Sequence, residues 1–148
     1  MAARFGYAKV DDVTTDEVIT IVQLVAAANH AVRVTSIAVS FHGINNTHPP
    51  IDVYIARLTD AGTMSALTLV KADDSIADTL DTTALHTATV EPTTTDVLIN
   101  VAVHPQTGVV YPVTPDTPII IGAADRLGVI VDDKGNETTV DVTVCFEE

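Results

Sequence analysis

An all-β domain, a sandwich or jelly roll of about eight antiparallel strands, is what this sequence predicts. Three stretches carry that reading. In Val32 to Phe41, VRVTSIAVSF, the apolar residues are Val32 and Val34, then Ile37, Val39 and Phe41. Successive strand side chains point to opposite faces, so each set lies on one face, but the two sets are out of phase by one residue. One extra residue at Thr35–Ser36, a β-bulge, restores the phase. Ile51 to Leu58 sets Ile51, Val53 and Ile55 against Asp52, Tyr54 and Ala56. Thr138 to Phe146 alternates most cleanly, with Val140, Val142, Val144 and Phe146 inward and Asp141, Thr143 and Cys145 outward.

The remaining elements follow in chain order. Met1 to Asp16 stands apart, because it concentrates Arg4, Phe5, Tyr7 and Lys9 ahead of the acidic DDVTTDE. It reads either as an arm that docks on a partner or as an edge strand, followed by a single sandwich domain over 17–148. Glu17 to Val25 contains VITIVQLV, a strand buried on both faces; its β-branched residues argue against a helix over 18–28. Ala26 to His30 turns the chain, and His42 to Pro50, HGINNTHPP, is a loop.

Thr59 to Pro92 is the longest irregular region. It holds a turn at Asp60–Gly62, a helical turn or short strand at Met64–Val70, an acidic stretch from Lys71 to Thr83, and a weak strand at Ala84–Val90. A connection of that length is usually functional, which makes Met64 and Leu67 candidate interface residues beside Arg4, Phe5, Tyr7 and Lys9. Strands follow at Val97–Val103, Val109–Val113, Pro118–Ile121 and Arg126–Val131, the last with Leu127, Val129 and Val131 inward. Asp132 to Asn136 is a hairpin loop in which Gly135 can take a positive φ.

Composition narrows the function. The 148 residues suffice for one cored domain. A formal charge of −13 argues against nucleic-acid binding, which depends on Lys and Arg neutralising phosphates. No apolar run is long enough for a membrane helix, and no signal-peptide pattern opens the chain. The single Cys145 cannot form an internal disulfide and reads as an inert thiol.

No catalytic constellation emerges. The five histidines, His30, His42, His48, His86 and His104, lack metal-ligand spacing and read as solvated loop residues. Cys145 has no basic neighbour in its strand, and no serine lies in a G-x-S-x-G elbow. Asp73–Asp74 and Asp132–Asp133 depart from the calcium-loop pattern and read as solvated turn charges. Neither a phosphate-cradling glycine loop nor another cofactor motif is present, so the expectation is a protein that is not an enzyme.

An ordered series of phrases carries a family resemblance: IVQLVAAANHAVRV (21–34), ARLTDAGTMSALTLVK (56–71), TTALHTATVEPTTTDVL (82–98), VHPQTGVVYP (103–112), then RLGVIV and the closing FEE. With these the chain resembles small structural proteins of tailed bacteriophages and prophages, encoded near the head genes. The likeness leaves out the first sixteen residues, and the acidic DDSIADTLD (73–81) replaces a shorter polar stretch. What the resemblance implies is a virion β-sandwich made in the host cytoplasm. It would decorate the capsid exterior as a homotrimer bound to the major capsid protein. Two rival expectations are a glycan-binding module using Tyr7, Tyr54 or Tyr111, and a head–tail connector component.

Overall fold

The computed structural model describes residues 3–15, 17–42 and 47–148. Among them are twelve strands and no helix: β1 (Phe5–Thr15), β2 (Val18–Val25), β3 (Val32–Phe41), β4 (Ile51–Leu58), β5 (Thr63–Leu67), β6 (Val70–Lys71), β7 (Thr83–Val90), β8 (Thr94–Val103), β9 (Gly108–Pro112), β10 (Ile119–Ile121), β11 (Arg126–Asp132) and β12 (Thr138–Glu147). They form two six-stranded sheets, and every pairing is antiparallel. The first runs β10-β3-β12-β1-β6, with β9 also pairing β3; the second runs β5-β7-β2-β11-β4-β8. One apolar cluster, drawn from both sheets, fills the space between them. This is a β-sandwich, as the alternation predicts.

The three stretches that predict the fold are strands with the expected faces. Along β12, Val140, Val142 and Phe146 have no exposed surface and Val144 has 1%, so each contributes roughly 1.5–3 kcal/mol through burial. The bulge in β3 falls where the phase break places it: Cys145 pairs Ser36, Phe146 pairs Val34, and Thr35 is left over. β2 is buried on both faces along most of its length, so the alternative of a helix over 18–28 fails.

Several expectations require correction. The 59–92 region is less irregular than expected: the weak strand at Ala84–Val90 is β7, β5 and β6 also lie within it, and the strands of the described residues number twelve where about eight were expected. Of the two readings of Met64–Val70, the short strand holds over Met64–Leu67 and the helical turn does not; the short polar-apolar segment takes its conformation from pairing with β7. Of the two readings of residues 1–16, the strand holds for residues 5–15 and the detached arm does not. Residues 5–15 form β1, paired almost throughout with β12 and, at Gly6 and Tyr7, with β6. Gly6 makes this fit possible, since a Cβ there would lie 2.6 Å from the Phe146 ring and 2.7 Å from Leu80. Met1, Ala2, Asp16 and residues 43–46 of the predicted loop lie outside the described residues.

Candidate interaction surface

The expected interface residues do not gather in one place: Phe5, Tyr7 and Lys9 lie in β1, Arg4 just before it, and Met64 and Leu67 in β5. Phe5, Tyr7 and Lys9 alternate onto the outer face of the first sheet, and Phe5 and Tyr7 are 49% and 39% exposed. Pairing registers extend this face across the whole sheet. One row reads Pro112, Ser36, Cys145, Tyr7, Val70, and a second reads Val110, Ala38, Thr143, Lys9. A third row carries Ile120, Arg33, Glu147 and Phe5.

Charges on this face largely pair off: Arg33 stands opposite Glu147 in the register, Lys9 meets Asp11 at 2.9 Å, and Asp141 meets His42 at 2.5 Å. Val70, Val110 and Ile120 add exposed apolar area at 57%, 68% and 46%. A chain of formal charge −13 therefore presents one near-neutral sheet face, with a shallow concavity of about 400 Å³ between Lys9, Val110 and Thr143. Cys145 lies in this face as a half-buried free thiol.

Arg4 has a different role from the one expected. Its guanidinium donates to Asp81 at 2.8 Å and to the carbonyl of Thr79, and lies 3.1 Å from Glu148. Backbone hydrogen bonds in both directions join Arg4 to Glu148, so the two ends of the described chain are stitched together. The Glu148 side chain is buried and accepts from the amides of Asp81 and Thr82 and from the Thr82 hydroxyl. Burial pushes this carboxyl up, but the Thr82 hydroxyl, the two amides and Arg4 together outweigh it and hold it below the usual range. Arg4 is thus committed within the chain because the fold brings an acidic loop and the last residue to it. Met64 and Leu67 are likewise half-buried against the core.

The histidines are not all solvated. His42 Nε2 lies 2.5 Å from Asp141 Oδ2, and the amide of Asp12, a residue at φ 56 in the β1 bulge, donates to Asp141 Oδ1 at 2.7 Å. The hydrogen bond that the His42 ring donates to the Asp141 carboxylate raises the His42 pKa. His30 packs half-buried, 3.6 Å from Glu148. Two triads, Asp12–His42–Asp141 and His30–Asp81–Glu148, hold potential ligand atoms within 4.8 Å of one another. In the second the Arg4 guanidinium already supplies the counter-charge. Asp133, expected to be solvated, is buried and accepts from the Gly135 amide at 2.9 Å in a turn where Gly135 has φ 77.

Of the tyrosines, Tyr54 is half-buried and donates to Asp52 at 3.3 Å, and Tyr111 packs on the core. Only Tyr7 is exposed. Sequence reasoning identified Phe5, Tyr7 and Lys9 but missed Val70, Val110 and Ile120. These come from three short strands whose register alone places them beside β1, β3 and β12. No protein-family model matches the chain, and no curated protein or solved structure is found to be similar to it.

Proposed function

We propose that the chain is a non-enzymatic structural protein of a tailed-phage virion, a decoration protein that binds the major capsid protein on the shell exterior as a homotrimer. The observation that carries this reading is the near-neutral outer face of the first sheet, with Phe5, Tyr7, Val70 and Val110 exposed on a strongly acidic molecule. Such a face is suited to rigid docking against protein: aromatic anchors bury large area at low entropic cost, while the acidic remainder stays solvated and resists non-specific association. The resemblance of its ordered phrases to those of small phage head proteins points to the major capsid protein as the partner.

The test is saturation binding to phage heads that lack the protein, with bound copies counted by quantitative electrophoresis. The intact chain should saturate at a fixed copy number divisible by three. Phe5→Ala with Tyr7→Ala should lower occupancy about tenfold or more at equal concentration, with an unchanged circular dichroism spectrum. Equal saturation by both proteins would remove attachment from this face.

A further inference from the structure

The two ends of the second sheet differ in shape and polarity, and they complement each other. At one end β8 is an open edge ten residues long, paired only with β4 among the described residues. Its register against β4 skips Leu98, because Ile55 pairs Ile99 and Ala56 pairs Val97. The bulge leaves two consecutive apolar side chains, Val97 and Leu98, 54% and 40% exposed. Asp96, immediately before them, is exposed and makes no ion pair among the described residues.

At the opposite end, β5, β7 and the 79–82 segment enclose an apolar cleft of about 490 Å³. Its walls include Leu67, Leu69, Leu80 and Ala84. Lys71 sits at this cleft, and its ammonium donates only to the carbonyls of Ile76 and Asp78 among the described residues. One end of the sheet thus offers an apolar knob beside a free carboxylate. The other offers an apolar hole beside Lys71, which makes no ion pair within 4 Å among the described residues although Asp73 is near enough to feel its charge.

We propose that the Val97–Leu98 bulge of one copy seats in the Leu67–Leu80 cleft of the next, with Asp96 meeting Lys71. This rests on the self-association reading above and names its interface. The contact is heterologous, one surface against a different one, which is what a closed ring of three requires; a two-fold dimer would place the same surface on both sides. Charge favours a second copy as the occupant. β5 contains no charged residue, β8 contains only Asp96, and the Asp81 carboxylate of the cleft wall is already paired with Arg4, so the contact sets Asp96 against Lys71. The first sheet is less suited to such a contact. Its β6 edge is two residues long, and its other edge is broken between β9 and β10 by Pro112, Pro115 and Pro118.

The test uses the full chain with Cys145→Ser, carrying Leu98→Cys and Ala66→Cys singly or together, under mild oxidation. The double variant should give covalent multimers ending at the size that light scattering finds for the unmodified protein. Neither single variant should cross-link. Leu98→Asp should weaken association about tenfold or more with an unchanged circular dichroism spectrum. Cross-linking by Leu98→Cys alone would mean β8 pairs with its own copy and overturns the proposal. A trimer that neither cross-links nor responds to Leu98→Asp also overturns it, while leaving the trimeric reading standing. A monomer at all micromolar concentrations overturns both.

Discussion

β12 and β8 are both ten-residue strands rich in Val, yet they occupy opposite situations. β12 lies between β1 and β3, and its burial alternates without a break from Thr138 to Glu147. β8 has one neighbour, two register shifts and exposed side chains along its first half. The difference teaches that strand composition does not decide centrality. A strand becomes central when neighbours cover both of its hydrogen-bonding edges, and those neighbours lie far away in the chain. For β12 one of them is β1, more than a hundred residues distant.

The strongest way to break the contrast is to make β12 an edge. Deleting residues 1–10 removes most of β1, uncovers Phe146 and Val144, and strips one side of the ladder. Loss of soluble, cooperatively folded protein is expected, read by yield and circular dichroism. A folded product would show that β1 is dispensable packing. Val142→Asp comes next. It places a carboxylate at a site with no exposed surface and should cost about 3–5 kcal/mol, enough to unfold a marginal domain. The matched change on β8, Leu98→Asp, should alter unfolding free energy by no more than about 0.5 kcal/mol when measured at a concentration low enough to keep the chain monomeric. Equal effects in denaturant melts would erase the distinction between centre and edge.

Glu148 continues directly from the end of β12 and extends the comparison to the stitched termini. Glu148→Ala leaves the Asp81 and Thr82 amides without their acceptor and removes one of the two carboxylates beside Arg4, at a cost of about 2–3 kcal/mol. Because its folded pKa is depressed, this carboxylate stabilises fully above its unfolded value of 4.5, and the contribution is lost as pH falls through the folded value. Melts from pH 7 down to 3 should therefore show a steeper acid loss for the parent than for Glu148→Ala.

His42 gives a smaller effect of opposite sign. Its raised pKa stabilises below 6.5, and that contribution disappears as pH rises through the folded value. Proton NMR should place its midpoint above 6.5, and Asp141→Asn should return it toward that value. Lys9→Ala should do least: its ion pair with Asp11 is exposed, so the thermal midpoint should not move measurably.

The sequence by itself determined the fold class and the inward faces of β3, β4 and β12. Period-two alternation is local, and burial on one face enforces it residue by residue. Even the bulge at Thr35 was legible, because a phase break in the apolar pattern has few other causes in a strand. Tertiary structure decided what depends on pairing at a distance. It turned residues 5–15 from a prospective arm into β1, drew Arg4 into a network with Asp81 and Glu148, and buried Asp133. It also assembled the near-neutral face from β1, β3, β6, β9, β10 and β12, short and long strands whose adjacency no window of sequence contains. Alternation tells which side of a strand faces inward; only register tells which strands share a face.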